Sequence, residues 1–193
     1  APGSVIAGQR DKGQVPFLSR AAPYIRGRTG CEAGTPVSRF LDEARMLDDV
    51  YNAKILELAG NIPRIGHLQA PDASAKAHSK LCGSTVNVDL KVHDGVVTDF
   101  AHEVKACALG QASSAIMARN IVGASAAELR DVRQRMWAML KEGGPPPEGR
   151  FAECAFLEPV RAYKARHAST MLTFDAVVDA LDKIDAARGS DAA

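Results

Sequence analysis

The sequence lacks an apolar run long enough to cross a membrane. A membrane helix needs about 18 consecutive apolar residues, whereas the longest run here, around residues 176–181, is short and contains Asp179. Residues 1–30 also lack the apolar segment of a secretory signal. Lys and Arg number 24 and Asp and Glu 23, so the basic surplus that favours general nucleic-acid binding is missing as well. We therefore expect a globular, cytoplasmic protein that binds no nucleic acid and no membrane.

The common nucleotide-binding and hydrolase motifs are also absent, since the sequence contains no GxGxxG, P-loop, GxSxG or HExxH pattern. Cysteine is sparse, and two disulfides are arithmetically possible. A chain of 193 residues with this content of Leu, Val and Ala builds a core without them. We therefore favour free thiols, metal ligands or catalytic thiols in a reducing compartment. The four cysteines are Cys31, Cys82, Cys107 and Cys154.

The chain divides into an irregular beginning and a periodic remainder. Residues 1–40 mix Gly, Pro, Arg and isolated apolar residues without a period of 2 or 3.6, which predicts an irregular N-terminal tail or extension in which Cys31 is a bystander. Helical spacing begins at Phe40 and ends at Gly60. We assign a single domain to residues 41–187 and a short tail to residues 188–193. A second short helix is predicted over Ala73–Lys80.

The centre of the chain changes to the period of a β-strand. Apolar side chains alternate with polar ones over residues 85–92, which predicts a half-buried strand. The sequence His93-Asp94-Gly95 predicts a hairpin turn, because Asp-Gly accepts positive φ angles. A second strand over residues 97–101 and a third over residues 103–106 complete a predicted three-stranded antiparallel meander. The predicted inward positions of the first strand are Val86, Val88, Leu90 and Val92.

After Cys107 the pattern becomes helical and rich in small residues, and Gly123 ends this helix. Ser125 and Glu128 form a capping box that predicts the start of the next helix, whose end is marked by a Gly-Pro loop over residues 143–147. A final amphipathic helix is predicted over about residues 168–187. The fold class is therefore α+β, with helices packed on a small antiparallel sheet and a long helix at the C-terminus.

Three side chains are candidates for chemistry. Cys107 is predicted at a helix N-terminus, where partial positive charge favours a thiolate, although a buried core role is equally consistent with its spacing. Cys82 lies in a polar loop beside Gly83. His167 is predicted in an exposed loop or in the first turn of the last helix, where a hydrogen-bonded surface histidine is the commoner case. With Cys82 placed ahead of the first strand, the meander alone does not bring the two thiols together.

Short motifs in a fixed order then resemble a known family. They are Cys82-Gly83 before a strand, the turn Asp94-Gly95, Ala106-Cys107-Ala108 before a small-residue helix, Leu157-Glu158-Pro159-Val160, and Arg166-His167-Ala168-Ser169 at the last helix. Over about residues 46–187 the chain resembles the NifU N-domain/IscU/SufU family of iron–sulfur cluster scaffold proteins. The resemblance implies a three-stranded antiparallel sheet packed by helices. It also implies that the cysteines lie in loops at one end, where they hold a nascent cluster or a zinc ion.

Two family ligands are missing from this sequence. The Asp that follows Cys-Gly in the family is Ser84 here, and the family's third cysteine is replaced by Ala168 or Ser169, depending on the register. The resemblance implies Cys82 and Cys107 as thiolate ligands and His167 as the third ligand, because His replaces thiolate at zinc and at some cluster irons. Cys154 matches no family ligand.

The resemblance implies a scaffold or carrier for a transient iron–sulfur cluster, of the 2Fe–2S type. Sulfur would come from a cysteine desulfurase, and recipient apo-proteins would take the cluster. Because two ligands are missing, two alternatives stay open. One is a zinc-dependent sulfur acceptor, or sulfurtransferase, and the other is a degenerate binding module without a cofactor. The protein is an enzyme only if it transfers persulfide sulfur.

Overall fold

The computed structural model of the protein describes residues 52–191. It has the predicted α+β architecture, in which a three-stranded antiparallel sheet is packed by helices and the last helix is the longest. No helix in this range is long and apolar enough to cross a membrane. In chain order, the elements are α1 (Ala53–Gly60), β1 (Ala73–His78), β2 (Thr85–His93), β3 (Val96–Lys105), α2 (Ala108–Asn120), α3 (Ala126–Lys141), a 3-10 segment (Gly149–Ala162) and α4 (Lys164–Asp191).

The sheet is a meander in the order β1-β2-β3, but its strands differ from the predicted ones. The predicted helix over Ala73–Lys80 is wrong, because Ala73–His78 pairs along β2 as the edge strand β1. The predicted second and third strands are one continuous strand, β3. Ala and Lys are good helix formers, but intrinsic propensity is a small energy, and the backbone pairing with β2 and the burial of Ala75 override it.

The predicted strand over residues 85–92 and its turn are confirmed in β2 and the β2–β3 hairpin. Val86, Val88 and Leu90 are completely buried on the inner face of the sheet. Asp94 and Gly95 adopt φ angles of 49° and 76°, the positive values that a two-residue hairpin turn requires.

Two helix boundaries agree with the predicted ones, the end of α1 at Gly60 and the start of α3 after Ser125. Asn52 accepts the backbone N–H of Ile55 at the start of α1, and the residues of the predicted Phe40–Gly60 helix before Asn52 lie outside the described range, as do the tail over residues 1–40 and Cys31. Ser125 accepts the backbone N–H of Glu128 and so caps α3 as predicted. Helix α4 begins at Lys164 and ends at Asp191, which extends the predicted helix at both ends.

The core lies between the inner face of the sheet and the helices. Helix α4 packs against β1, β2, α2 and α3, so it contacts both the sheet and the other long helices. Its predicted apolar side is buried throughout, from Leu172 to Ile184. The first turn of α4 is consequently held in a fixed position relative to the end of the sheet where β3 enters α2.

Candidate functional site

Sheet topology brings the loops that carry Cys82 and Cys107 to the same end of the molecule. Thr85, the first residue of β2, pairs with His78 at the end of β1 and with Lys105 at the end of β3. Cys82 lies in the β1–β2 loop, and Cys107 follows β3 directly. The predicted meander separated the two thiols because it divided residues 97–106 into two strands, whereas β3 is one continuous strand whose end pairs with the start of β2.

Cys82 is an exposed thiol that lies beside two serine hydroxyls. Its Sγ lies 3.4 Å from the Ser79 hydroxyl and 3.0 Å from the Ser84 hydroxyl. These two hydroxyls, the backbone N–H of Ser84 and the charge of Arg166 lower the pKa of Cys82 to about 7. A substantial fraction of the side chain is therefore thiolate at neutral pH, the form that binds metals and attacks sulfur.

The loop around Cys82 is closed by its own backbone. The N–H of Ser79 donates to the carbonyl of Ser84, and the N–H of Gly83 donates to the carbonyl of Ser79, each at 2.9 Å. Gly83 adopts a φ of +68°, which a residue with a Cβ adopts only with strain. The tight turn holds both hydroxyls beside the sulfur. Ser79 and Arg166 were not predicted from the sequence. The Ser79-x-x-Cys82 spacing in a turn could have indicated Ser79.

Cys107 is the N-cap residue of α2, as predicted, and its side chain is half-buried. It makes no capping hydrogen bond, and its Sγ instead lies 3.5 Å from the Ser169 hydroxyl in the first turns of α4. The two helices approach closely here. A Cβ added to Gly110 would lie 2.7 Å from the Ala106 Cβ and 3.0 Å from the Ser169 carbonyl oxygen. The absence of a side chain at Gly110 therefore permits the contact between Cys107 and α4.

His167 lies in the first turn of α4 but is 5% exposed, so the expectation of a surface histidine is wrong. Its Nε2 is 3.1 Å from the carbonyl oxygens of both Val160 and Arg161. Carbonyl oxygens only accept hydrogen bonds, so Nε2 carries the proton and Nδ1 keeps a free lone pair. Within residues 52–191, Nδ1 has no hydrogen-bond partner. Histidines that bind metals commonly donate their second N–H to a carbonyl in this way.

The other candidates, Ala168, Ser169 and Cys154, differ in their burial. Ala168 is exposed, whereas Ser169 is buried and donates its hydroxyl to the carbonyl of Arg166. Cys154 lies in the 3-10 segment with its side chain fully buried in the core, and burial raises its pKa to about 12. In the conformation described for residues 52–191, no group of three or more His, Cys, Asp or Glu side chains is arranged to hold a metal ion. Cys82, Cys107 and His167 therefore stay predicted ligands, carried by the β1–β2 loop, the residue before α2 and the first turn of α4.

Comparison with known proteins now identifies the family. The model of the NifU-like N-terminal domain matches residues 50–170, more than half of the chain. The chain belongs to this family. The crystal structure of a nitrogen-fixing NifU-like protein (N-terminal) from Brucella abortus is 68% identical, covers 72% of this chain and 97% of its own, and superposes with a TM-score of 0.72. The resemblance inferred from the motifs is therefore confirmed.

The chain is also similar to two more distant proteins. The iron–sulfur cluster assembly scaffold protein IscU of Thermotoga maritima is 27% identical over 135 residues, which are 70% of this chain and 94% of that protein. A putative SufU scaffold from Fervidobacterium islandicum AW-1 is 19% identical, covers 69% of this chain and 98% of its own, and has a TM-score of 0.65. At that identity the likeness concerns the fold alone.

Proposed function

We propose that this NifU-like domain is an iron–sulfur cluster assembly protein that holds a nascent cluster as scaffold or carrier. The observation that carries the proposal is the convergence of two thiols on the start of one helix. Cys82 lies within the electrostatic reach of Arg166, and the Cys107 sulfur contacts Ser169. Support comes from the relative named IscU, which is described as an iron–sulfur cluster assembly scaffold protein.

The ligands in this proposal are the thiolates of Cys82 and Cys107 and the imidazole of His167. Two thiolates suit iron, which prefers sulfur ligands in clusters. His167 would bind through Nδ1, because Nε2–H is engaged by two carbonyl groups. The cargo we propose is a transient 2Fe–2S cluster. An open, incomplete ligand set suits a protein that must load a cluster and release it to recipient apo-proteins.

Sulfur would reach the site from a cysteine desulfurase. The thiolate of Cys82 would attack the outer sulfur of a persulfide on the donor, so that a new S–S bond forms on Cys82. The donor's S–S bond breaks, and its cysteine leaves as a thiolate, which makes the exchange redox-neutral. The exposure of Cys82 and its pKa of about 7 favour it over Cys107 as the acceptor.

The same features support a second candidate, a zinc-dependent sulfur acceptor. Zinc accepts thiolate and imidazole ligands alike. The family's Asp is replaced by Ser84 and its third cysteine by Ala168 or Ser169. These two losses weaken a cluster site more than a zinc site. In this reading the protein performs group transfer and counts as an enzyme. A binding module without a cofactor is the outcome if neither metal is held.

Metal analysis separates these functions. Protein purified without oxygen should contain iron and sulfide if it is a scaffold, zinc alone if it is the sulfur acceptor, and neither if it is a cofactor-free module. The variants Cys82→Ser and Cys107→Ser should each abolish stoichiometric binding, and the double variant should be no worse, because ligands of one site act as a unit. Cys31→Ser is the matched control. Unchanged metal content in both single variants would eliminate the shared site.

A further inference from the structure

A surface groove of about 480 Å³ runs between helices α3 and α4. The chain's only tryptophan, Trp137, lines the groove together with Val178 and is 38% exposed. A half-exposed indole beside an apolar side chain leaves apolar area in water that a partner can cover. The α4 residues of the groove lie in the middle of that helix, away from the first turns that carry His167 and Ser169. The groove is therefore separate from the predicted ligands.

The two helices bring opposite charges to the groove. Helix α3 contributes cations along one edge, and helix α4 contributes carboxylates along the other. The cations are Arg130, Arg133 and Lys141, the last of which lies 5.8 Å from the centre of a Trp137 ring. The carboxylates are those of Asp175, Asp179, Asp182 and Asp185. The groove thus has one positive and one negative edge, and a surface with the reverse arrangement complements it.

Ion pairs within the chain leave part of this charge unused. Arg130 contacts both of its carboxylates through the single nitrogen Nη2, and Arg133 contacts its carboxylate through Nε. A guanidinium has N–H donors on all of its nitrogens, so both arginines keep donors for a further carboxylate. Asp179 is exposed and forms no ion pair within residues 52–191. Both edges of the groove can therefore bind more charge than the chain itself supplies.

The order of the ion pairs defines how a second copy of the chain fits this groove. Arg130 pairs with the later residues Asp182 and Asp185 of α4, and Arg133 pairs with the earlier Asp175. Helices α3 and α4 are therefore antiparallel along the groove. A two-fold axis laid along the groove turns a second copy so that its α4 covers α3 and its α3 covers α4. Each positive edge then faces a negative edge, at the level where the same side chains pair within one chain.

The dimensions of the helices indicate how strong such an interface is. Helix α3 has 16 residues, which is about 24 Å at about 1.5 Å per residue. Two adjacent helices present a face about 20 Å wide. Their facing surfaces would bury about 1,000 Å² in total, which is near the lower limit for a specific interface. The association is therefore weak and reversible.

We propose that the groove between α3 and α4 is a dimer interface, in which α3 of each copy packs on α4 of the other. The unused donors of Arg130 and Arg133 bind carboxylates of the second copy, including its Asp179, and Trp137 is buried between the copies. Because the axis runs along the helices, the starts of both α4 helices lie at the same end of the dimer, where Cys82 and Cys107 of each copy stay open. This inference goes beyond the proposed function and does not depend on it.

The first test follows the full chain by sedimentation velocity and tryptophan fluorescence from about 1 to about 500 µM, the range for a small interface. A reductant keeps disulfides from contributing. The mass should double as the concentration rises, and the emission should move to shorter wavelength over the same range, because Trp137 is the only tryptophan. High salt should weaken both changes. A chain that stays monomeric, a dimer without the emission shift, or assembly beyond two copies would overturn the proposal.

A charge reversal at Asp179 tests the contact between the edges. Asp179→Lys breaks no ion pair described within the chain, but it sets a cation against the arginines of the second copy. It should weaken the dimer about tenfold or more. The matched control is Glu148→Lys, which makes the same charge change beside Asp131 and Arg135 on the opposite side of α3, and it should dimerise like the unaltered protein. Equal dissociation constants for the two variants would contradict the proposal.

A charge swap separates pairing between copies from pairing within one. The double variant Arg133→Asp/Asp175→Arg keeps an ion pair within the chain and keeps opposite charges facing each other in its own dimer, so it should still self-associate. In a mixed dimer with the unaltered protein, like charges would face each other. Sedimentation of a fluorescently labelled unaltered chain in an excess of the variant should therefore show several-fold fewer dimers than in an excess of unaltered protein. Free mixing would rule out the two-fold arrangement, and thermal midpoints verify that every variant is folded.

Discussion

At the scale of single residues, Ser84 changes the chemistry of its neighbour Cys82. The family pattern has Asp at this position, and a carboxylate beside a thiol opposes its ionisation because two like charges would lie together. The Ser84 hydroxyl, 3.0 Å from the sulfur, supports ionisation instead. The substitution thus removes a potential hard oxygen ligand and at the same time makes Cys82 a better nucleophile at neutral pH.

The rate at which iodoacetamide alkylates Cys82 should report this effect. Only the thiolate reacts, so the rate should rise with pH through a midpoint near the pKa of about 7. Ser84→Ala should move the midpoint upward, and Ser84→Asp should move it further. The measurement uses metal-free protein with Cys31 and Cys107 changed to Ser, since Cys154 is buried and unreactive. Thr98→Ala, an exposed hydroxyl on β3, is the control, and a midpoint near 9 in the unaltered protein would contradict the prediction.

The missing third thiol is a second effect of single residues. A cluster iron prefers thiolate to imidazole, so this site should hold a cluster more weakly than a three-cysteine relative. Of the separate variants Ala168→Cys and Ser169→Cys, one should raise cluster occupancy after anaerobic reconstitution, measured by iron, sulfide and visible absorption. His167→Ala should lower it. If neither cysteine increases occupancy and His167→Ala changes nothing, the start of α4 is not part of a metal site.

At the scale of elements, most of the fold could be predicted from local patterns, but β1 could not. The strand pattern of β2, the turn at Asp94 and the cap at Ser125 each have a local cause that the sequence displays. The segment Ala73–His78 consists of small residues together with Lys76 and His78, and Ala75 is its only buried residue. Its conformation comes from pairing with β2, which is a tertiary interaction.

The division of β3 into two predicted strands explains why the convergence of the thiols could not be predicted. Two short strands would reverse the chain twice and place Cys107 at the far end from Cys82, whereas the single strand β3 ends beside the start of β2. Cys82, Cys107 and His167 were candidates from their local sequence, and their assignment as ligands came from the resemblance, which depends on motif order and not on strand assignment. Their surroundings, such as the Ser79 hydroxyl and the carbonyl groups that bind His167, depend on the folded loops.

The close packing of α2 on α4 gives a prediction at this scale. Gly110→Ala should destabilise the domain by about 1–3 kcal/mol, because the new methyl group overlaps the Ala106 side chain and the rigid Ser169 backbone. At roughly 2–4 °C per kcal/mol, the thermal midpoint should fall by several degrees. Gly60→Ala is the control, since a Cβ there meets nothing within 4 Å. An unchanged midpoint in Gly110→Ala would contradict this account of the helix contact.

At the scale of the whole molecule, the segment between α1 and β1 ties the edges of the sheet together. Ile65 bridges to His102 of β3, and the His67 ring contacts Asp89 of β2 at 2.9 Å and Glu103 of β3 at 3.4 Å. Asp89 also accepts hydrogen bonds from the Leu68 backbone and the Ser74 hydroxyl. One buried carboxylate therefore joins the connecting segment, the edge strand β1 and the central strand β2.

This cluster makes the stability of the domain depend on pH. The hydrogen bond to Asp89 raises the pKa of His67 above 6.5, with Glu103 adding to the effect. Burial opposes ionisation of Asp89, but hydrogen bonds from Ser74 and His67 outweigh it and lower its pKa below 3.8. The stabilisation from charged His67 is therefore complete below pH 6.5 and is lost as the pH rises through its raised pKa. That from Asp89 is present above pH 3.8 and is lost as the pH falls through its lowered pKa.

Both charges coexist between these limits, so His67→Ala should lower the thermal midpoint more at pH 5.5 than at pH 9. At pH 9 the His67 ring in the unaltered protein is neutral, and the variant then loses only contacts of a neutral side chain. Thermal unfolding of both proteins at the two pH values measures the difference. The matched control is His93→Ala, an exposed histidine in the hairpin turn that contacts only its neighbour Asp94, and its effect should be small at both values. An equal loss in His67→Ala at the two pH values would mean that the ring acts through packing and that its charge does not join the strands.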